Sequence, residues 1–540
     1  MGMLLTIFKS KAIFLIVLLG FLLRFINIDG NPKSMYGDSL TLVYDAYSIL
    51  KTGMDQTGQH LPLYFSMGGG RPAAYIYATI PFVALLGPTA LAARFVSILS
   101  GIGVIILLYL ICKQIFSKKI GLLVALLASI TPWELSLSRG AFESHFALFL
   151  GLLGLYFFLQ RSRGFYFYLI SSISFALAIQ TYSTYVLIIP LFTLVLLYKE
   201  GMLASRKIFF QKGTIFFLSL ILTSSLLSFY ISYSRGSKDR FSNLQIFNQP
   251  ELQNTLASKV RSERSYSLLS PELAIRFHNR ILETFSVFSE NYVNNFGLRF
   301  LFLQGDENPR HNPAVSGELF WFYLPLLIFG AVRLQRRDKR IFLFIFFWLL
   351  IAPLAASLVG KPHALRNSFM LPPLLILCAN GFPSSKRSKI ILCLLFLIQL
   401  PLFLNRFYFL SPNMNAKFWS YSAKLAAETA IKEKKNFDTI ILSTSIPDME
   451  YAYPVYAKID PGKFINESQH KKQIGEYNFI KLDNVYLGSI PTGAVKGLTK
   501  NIKGSVLYLG PVEDIGQVDN EGIKRDEDEQ PLFVISKKSK

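Results

Sequence analysis

Residues 341–359 read IFLFIFFWLLIAPLAASLV and contain no charged side chain. A bilayer-spanning helix needs about 20 such residues, because lipid offers an exposed backbone no hydrogen-bond partner. A basic tract at 333–340 precedes this run, and the polar stretch GKPHALR follows it at 360–366. Because Lys and Arg are enriched in cytoplasmic loops, the pattern predicts a membrane crossing that leaves residues 360–366 on the outer side.

The composition of the whole chain agrees with this reading. Of its 540 residues, 51% are hydrophobic and 17% are charged, whereas soluble domains carry about 25% charged residues. The net charge of +22 is also found in nucleic-acid-binding proteins, but here the Lys and Arg residues lie in short tracts between apolar blocks. We therefore expect a membrane protein with no nucleic-acid partner. The three cysteines, Cys112, Cys378 and Cys393, fall in predicted membrane segments, so no disulfide framework is expected.

Assigning the basic tracts to the cytoplasm predicts eleven spans, with a cytoplasmic N-terminus that is a retained helix rather than a signal peptide. The predicted spans are 11–28, 91–116, 120–135, 144–160, 165–181, 183–198, 213–233, 317–334, 341–359, 365–382 and 389–404. The apolar segment 72–87 is short and contains Pro and Gly, so we expect it to lie at the outer membrane surface.

The sequence predicts a polytopic α-helical protein of the cell membrane that consists of two domains. Residues 1–410 form the membrane domain, whose outer loops are 29–90, 135–145, 234–316 and 360–366. Residues 411–540 have mixed charge, a helical stretch at Lys417–Lys435 and β-branched runs at Asp438–Thr444 and Ser505–Leu509. They predict a small α/β domain outside the cytoplasm.

The first outer loop places Asp38 just beyond the first span. A carboxylate at the membrane surface can accept a proton from a hydroxyl group, or bind a metal or a sugar hydroxyl. The alternative is that Asp38 caps the N-terminus of a helix over 39–51. Tyr44 and Asp45 follow in the same loop, where they are expected to contact the acceptor or to support the structure.

The second outer loop contains SRGAFESH at residues 138–145, so that Arg139, Glu143 and His145 lie within seven residues. Ionisable groups at a membrane edge are costly and are usually functional or paired. The alternative is that Arg139 extends its charge to the interface and that Glu143 only pairs with it.

The third and fourth loops are basic, although positive charge is rare on the outer face. Their cationic and acidic candidates are Arg310, His311, Lys361, His363 and Arg366, with Asp306 and Glu307. Such a cluster of basic groups predicts an anionic ligand, and phosphate fits well. Pairing with nearby acids and contact with lipid headgroups are the alternatives.

The sequence contains no GxxxxGKS/T, HExxH or paired CxxC motif, so neither a nucleotide loop nor a structural zinc site is expected. A divalent metal ion stays open as a cofactor. Asp38, Glu143, His145 and Asp306 have side chains that can bind one, but their spacing defines no geometry.

Five short motifs follow one another on the predicted outer face. They are GDS at 37–39, RPA at 71–73, SRGAFE at 138–143, GDENPRH at 305–311 and PHALR at 362–366. With them the chain resembles the GT-C superfamily of polyprenyl-phosphate-dependent glycosyltransferases, especially the protein O-mannosyltransferase and aminoarabinose-transferase group. The resemblance covers about residues 10–435. It departs at Ser39, where the family carries Glu, and at Arg71-Pro72-Ala73, where the family carries Lys-Pro-Pro. Arg in place of Lys keeps a cation for phosphate.

This resemblance implies an inverting glycosyltransferase that moves a sugar from a polyprenyl-phosphate donor to a protein, lipid or glycan acceptor at the outer face. Asp38 and Glu143 would be catalytic. The residues implied to bind the donor phosphate are Arg71, Arg139, Arg310, His311, Lys361, His363 and Arg366. The residues implied to contact the acceptor or support the site are Tyr44, Asp45, His145, Asp306 and Glu307.

Two other functions are compatible with the sequence. A transporter or flippase of lipid-linked sugars also needs many spans and basic outer loops, but it predicts ionisable residues in the middle of helices, and these are few here. A catalytically silent relative that binds a glycolipid would explain Ser39 in place of the family Glu.

Overall fold

The computed structural model describes residues 10–66, 70–204, 211–234 and 249–539, most of which are helical. Some predicted features lie outside the described residues, namely residues 67–69 of the first outer loop and residues 235–248 of the third. The chain divides into two compact units. We call the described residues of 1–26, 69–75 and 97–407 the helical unit, and those of 27–68, 76–96 and 408–540 the sheet unit.

Each of the eleven predicted spans overlaps a helix. These helices are Lys11–Phe25, Ala90–Ile115, Lys118–Ile130, Glu143–Leu159, Phe165–Ile179, Tyr185–Lys199, Lys212–Ser234, Tyr323–Arg337, Lys339–Ile351, Leu371–Asn380 and Lys386–Asn405. Side-chain caps separate some of them: the Asp338 carboxylate accepts the Ile341 N–H at 3.0 Å and so starts the helix Lys339–Ile351.

The predicted count of eleven membrane spans is not confirmed by the lengths and compositions of the helices. Among the described residues, four helical stretches are long and apolar enough to cross a membrane: Ala90–Ile115, Lys212–Ile231, Lys339–Ser357 and Lys386–Met414. A fifth crossing results if Lys118–Ile130 and Pro132–Arg139, which meet at 58°, form one broken span. Five further apolar helices are shorter, including Ala74–Leu86 at the segment predicted to lie on the membrane surface.

The predicted outer loop 234–316 is mainly helical in its described part. It contains the helices Pro250–Tyr266, Pro271–Phe277 and Arg280–Asn294 and the short π-helix Arg299–Leu303. The remaining short elements of the helical unit are Arg71–Pro72, Pro132–Arg139, Arg161–Arg163, Leu354–Ser357 and Ser368–Met370.

Small residues let two helices of the helical unit approach closely. A Cβ atom added to Gly330 would lie 1.9 Å from the carbonyl oxygen of Leu377, and one added to Gly381 would lie 1.9 Å from that of Leu326. The obstacle in both cases is backbone, which cannot move without shifting a whole helix. Such small-residue contacts are typical of membrane helix pairs.

We expect Gly330→Ala to destabilise the protein by about 1–3 kcal/mol, because overpacking a close contact forces the backbone apart. The check is the midpoint of SDS-induced unfolding in a fixed detergent. Gly497→Ala is the matched control: this helical glycine has no neighbour within 4 Å of the added Cβ. A Gly330→Ala midpoint equal to that of the control would contradict the close approach.

The sheet unit contains a seven-stranded mixed sheet. In spatial order its strands are Lys472–Ile474, Tyr477–Leu482, Val485–Gly488, Thr439–Ser443, Val506–Gly510, Pro531–Lys538 and Glu521–Arg525. The central strand Thr439–Ser443 pairs in parallel with both of its neighbours. The two β-branched runs predicted from the sequence are thus confirmed as adjacent strands, and Ile441 and Tyr508 lie in the core beside them.

Helices complete the sheet unit. They are Gly37–Thr52, Ala74–Leu86, Ser411–Met414, Tyr421–Glu433, Met449–Tyr456, Pro461–Gln469 and Val495–Asn501, with short 3₁₀ turns at Ala416–Trp419 and Val512–Asp514 and a two-residue strand at Tyr64–Phe65. Tyr421–Glu433 lies inside the helical stretch predicted at Lys417–Lys435. The α/β character expected for the tail is therefore present, together with the helix that carries Asp38. The boundary drawn at residue 410 stays a prediction.

Candidate functional site

Two of the predicted outer loops meet at a cluster of one carboxylate and two imidazoles in the helical unit. His311 Nδ1 lies 2.9 Å and His363 Nδ1 lies 3.8 Å from the same oxygen, Oδ2 of Asp306. The two histidine rings are 4.5 Å apart between centroids. Ala364 also donates its backbone N–H to Asp306 Oδ2 at 2.7 Å. The structure thus brings together three residues from two separate motifs, GDENPRH at 305–311 and PHALR at 362–366.

The backbone of the third loop is shaped by its own side chains. Asp306 Oδ1 accepts the N–H of Asn308 at 2.8 Å, which forms an Asx turn. The Asn312 side chain donates to the carbonyls of Gln304 and Ser316 and accepts the Ser316 N–H. These bonds explain why GDENPRH folds locally as it does, and they hold His311 against Asp306.

Burial and neighbouring charge act in opposite directions on these groups. Burial alone would raise the pKa of Asp306, but the hydrogen bond from His311 and the electrostatic effect of the two imidazoles outweigh it and lower that pKa to about 2. Burial, His311 and Arg366 hold the pKa of His363 well below its usual value. Asp306 is therefore ionised, and the His363 imidazole is neutral near neutral pH.

Glu318 is a buried acid that the sequence reasoning missed. Burial and the nearby Asp306 charge raise its pKa well above the usual value, and its Oε1 accepts the backbone N–H of Asp306 at 2.9 Å. Trp133 ties this loop to the fourth one, because its backbone N–H donates to Glu318 O and its indole N–H to Ala364 O. A single acid at the start of an apolar block was the signal that could have revealed Glu318.

The cations of these loops differ in their surroundings. Lys361 lies 3.3 Å from Glu307, and both side chains are largely exposed, so this pair contributes little stability. Arg310 and Arg366 are half-buried, and the charge of Arg366 acts on His363.

Arg71 forms a second, mostly buried ion pair with Glu143 in the helical unit. Arg71 Nη1 lies 3.4 Å from Glu143 Oε1, and their side chains are 6% and 15% exposed. Glu143 begins the helix Glu143–Leu159, and Ser97 Oγ, which accepts the Phe142 N–H, anchors the turn before it. Two candidates from separate sequence motifs are thus neighbours.

Arg139 is buried and makes contacts different from the predicted pairing with Glu143. Its Nη1 donates to the carbonyls of Leu23, Arg24 and Ile26 at 2.8–3.4 Å, at the end of the helix Lys11–Phe25. Its guanidinium lies 5.8 Å from the centroid of the Phe407 ring. Arg139 therefore caps unsatisfied carbonyls at a helix C-terminus.

Next to Arg139 lies a fully buried ionic cluster, of which sequence reasoning had identified only His145 as a site residue. Glu134 Oε1 is 3.3 Å from Arg24 Nη2 and 2.9 Å from His145 Nε2, and all three side chains are 0% exposed. Arg24 also donates to Ser138 Oγ at 2.9 Å. A Cβ on Gly101 would lie 2.6 Å from Arg24 Nε, so this glycine makes room for the cluster. Arg24 inside an apolar run was the signal that could have revealed it.

In the sheet unit, Asp38 lies in the first turn of the helix Gly37–Thr52, and Tyr36 is the residue at the N-cap. The alternative that Asp38 itself caps the helix is therefore wrong. That task falls to Asp448, whose Oδ2 accepts the Gly37 N–H at 3.0 Å and also bonds the Ser420 hydroxyl. Asp38 is half-buried, and Ser39 beside it is buried.

The other candidates of the first loop support its structure. Tyr44 donates its hydroxyl to Ile459 O at 3.1 Å, and Asp45 Oδ1 accepts the Gln56 N–H at 3.1 Å. Arg94, which the sequence reasoning missed, is 1% exposed and donates to the carbonyls of Ile28, Pro32 and Ser34. These bonds fix the chain that leads into the helix of Asp38.

One protein-family model matches part of this chain, and solved structures superpose on most of it. The family described as dolichyl-phosphate-mannose-protein mannosyltransferase matches residues 71–227, which include Arg71, Arg139 and Glu143. ArnT from Cupriavidus metallidurans in the apo state superposes with a TM-score of 0.56 at 12% identity, over 98% of this chain and 98% of that chain. The chain has the GT-C fold. The resemblance stated from the sequence is thereby confirmed at the level of the fold, and the family match covers residues 71–227.

Two further similar structures were solved with lipid phosphates, and only the first superposes with a TM-score above 0.5. ArnT bound to undecaprenyl phosphate aligns at 13% identity and a TM-score of 0.55, over 96% of this chain and 97% of that chain. The oligosaccharyltransferase AglB from Archaeoglobus fulgidus, solved with an inhibitory peptide and a dolichol-phosphate, aligns at 14% identity and a TM-score of 0.46. That alignment covers 83% of this chain and 63% of AglB. The comparison with curated proteins found no match for this chain.

Proposed function

We propose that this GT-C protein is an inverting glycosyltransferase that takes a sugar from a polyprenyl-phosphate donor. The observation that carries the proposal is the Arg71–Glu143 ion pair, mostly buried and contained in the segment that matches the mannosyltransferase family. A cation held in a fixed position can stabilise a phosphate leaving group, whose negative charge grows as the sugar departs. The acceptor is a hydroxyl group of a protein, a lipid or a glycan.

In the proposed reaction, the acceptor oxygen attacks C1 of the sugar from the side opposite the phosphate. The new C1–O bond forms as the bond from C1 to the phosphate oxygen breaks, and the polyprenyl phosphate leaves with that electron pair. The acceptor proton passes to the Asp38 carboxylate as general base. Since Asp448 accepts the N–H at the helix start, Asp38 is not required as a cap. Attack from this side inverts the anomeric carbon.

The proposed phosphate contacts are four cations of the predicted outer loops, namely Arg71, Arg310, Lys361 and Arg366. Arg139 is not among them, because its guanidinium donates to three backbone carbonyls. We therefore assign Arg139 a positioning role: it links the end of the first helix to the loop that leads to Glu143. Glu143 holds Arg71 in place, and this contact is the basis of its proposed contribution to catalysis.

We further propose that the reaction takes place at the outer face of the cell membrane, with the N-terminus cytoplasmic and residues 411–540 outside. The basic tracts between the apolar helices support this orientation. A transporter of lipid-linked sugars is less well supported, because Arg24, Glu134 and His145 lie near helix ends rather than at helix centres.

Replacing Arg71 tests the proposal. We expect Arg71→Ala to slow sugar transfer by about 100-fold, since removing one electrostatic donor commonly has this effect, and Arg71→Lys to retain more activity. The measurement is release of sugar-free polyprenyl phosphate by purified protein in nanodiscs. Arg161→Ala is the matched control. Arg161 also forms a mostly buried ion pair, with Arg161 Nη2 2.6 Å from Glu200 Oε2, but it lies in a predicted cytoplasmic tract. Equal rates for Arg71→Ala and wild type would remove Arg71 from the mechanism.

A further inference from the structure

The cluster of Asp306, His311 and His363 contains the donor atoms of a metal site. Each residue offers one ligand atom, and the three atoms lie within 4.8 Å of one another. Two imidazoles and a carboxylate form a donor set typical of zinc and related divalent ions, in which a fourth position is open to water or an anion.

The distances around Asp306 Oδ2 fit such an ion. A tetrahedral ion with bonds of about 2.0–2.1 Å separates its ligand atoms by about 3.3 Å. The two measured separations from Asp306 Oδ2, 2.9 Å to His311 and 3.8 Å to His363, lie on either side of that value. Because no two of the three ligand atoms are more than 4.8 Å apart, a shift of about 1.5 Å or less would bring every pair to that separation.

His363 is the residue able to make that adjustment. Its Nδ1 is buried and has no hydrogen-bond partner in the described part of the chain. Its side chain is 21% exposed and lies on a short loop, so the ring has room to turn. An unsatisfied buried nitrogen that faces a carboxylate is costly unless something binds between the two.

The other ligands are already held in place. Asp306 is fixed by the N–H groups of Asn308 and Ala364, and the bonds of Asn312 hold the loop that presents His311. Outer contacts of this kind orient metal ligands in known sites. Glu318 adds a further outer contact, because its Oε1 accepts the backbone N–H of Asp306 at 2.9 Å.

We propose that Asp306, His311 and His363 bind one divalent ion of the zinc type, with a fourth position open to water or an anionic oxygen. On binding, the ion displaces the proton shared by His311 and Asp306. It joins the loop 304–316 to the loop 360–366, which carries Lys361 and Arg366. The site is independent of the transfer reaction proposed above and can be present whether or not the protein transfers sugar.

Cobalt binding tests this inference directly. The full chain, purified in detergent with its affinity tag removed and stripped of metal by a chelator, is titrated with Co²⁺. We expect about one ion per chain with the intense visible absorption of four-coordinate cobalt. His363→Gln should weaken binding by more than about 100-fold, since even loss of an outer partner costs about 10- to 100-fold. Zn²⁺ should displace the cobalt and abolish the colour.

The controls separate loss of a ligand from loss of folding. His278→Gln alters another histidine of the third outer loop, one that pairs with Glu263, and should bind cobalt as wild type does. Asp306→Asn should also lose the ion. Because Asp306 accepts two backbone N–H groups as well, this variant can fail to fold. In that case the cobalt affinity of His363→Gln decides whether the site exists. A colourless wild-type titration, or equal affinities for wild type and His363→Gln, would overturn the proposed site.

Discussion

An Asp38→Asn protein is expected to transfer sugar about 100- to 10,000-fold more slowly than wild type, because it lacks the carboxylate that accepts the acceptor proton. Asn has nearly the same size, and the Gly37 N–H at the helix start is bonded to Asp448, so the helix should form normally. Stability should change by less than about 1 kcal/mol, the usual contribution of an acidic side chain at a helix N-terminus. Single-turnover rates with saturating donor measure the chemical step.

The matched control for this variant is Asp29→Asn. Asp29 is an exposed acid in the same predicted outer loop, so its neutralisation should leave the rate unchanged. Donor affinity should also be the same for Asp38→Asn and wild type, since the phosphate contacts are assigned to other residues. Full transfer activity in Asp38→Asn would remove the base assignment, whereas lost donor binding would give Asp38 a binding role instead.

Replacing Glu134 with Ala is expected to lower the free energy of unfolding by about 3–5 kcal/mol, because it leaves the charge of Arg24 buried without its partner. Arg24, Glu134 and His145 are all 0% exposed, so water cannot take the place of the lost carboxylate. The measurement is SDS-induced unfolding in one detergent, followed by a spectroscopic signal from the helices.

Two comparisons show whether the buried charge causes this loss. Glu307→Ala removes an acid from the exposed Lys361–Glu307 pair and should change stability by about 0.5 kcal/mol or less. A double variant, Arg24→Met with Glu134→Leu, removes both charges and should be more stable than Glu134→Ala alone. A Glu134→Ala protein as stable as Glu307→Ala would show that the cluster contributes nothing to folding.

The helices of this protein could be predicted because apolar runs are a local signal. Each predicted span, from 11–28 to 389–404, overlaps a helix, and the run Asp438–Thr444 contains the central strand of the sheet. Whether each helix crosses a membrane depends on its final length and on bends such as the 58° break before Pro132. Hydropathy alone does not report these features, and the count of eleven spans is not confirmed.

The partners of the candidate side chains could not be predicted, because they are distant in sequence. Arg24 and Glu134 are 110 residues apart, and Asp306 and Ala364 are 58 apart. Spacing left a helix cap open as an alternative for Asp38, but a tertiary contact from Asp448, 411 residues from Gly37, bonds the helix start instead. Charge patterns therefore identified which loops carry ionisable groups, whereas the fold determines which of these groups neutralise one another.

The most direct test of the proposed transferase activity is donor consumption by the purified wild-type protein. The protein in nanodiscs is incubated with a panel of polyprenyl-phosphate sugars, and the lipids are analysed by mass spectrometry. A glycosyltransferase should convert one donor to sugar-free polyprenyl phosphate, and the mass lost identifies the sugar. If no donor in the panel is bound or consumed, the proposed activity is contradicted. Donor binding without turnover would instead indicate a silent relative, marked by Ser39.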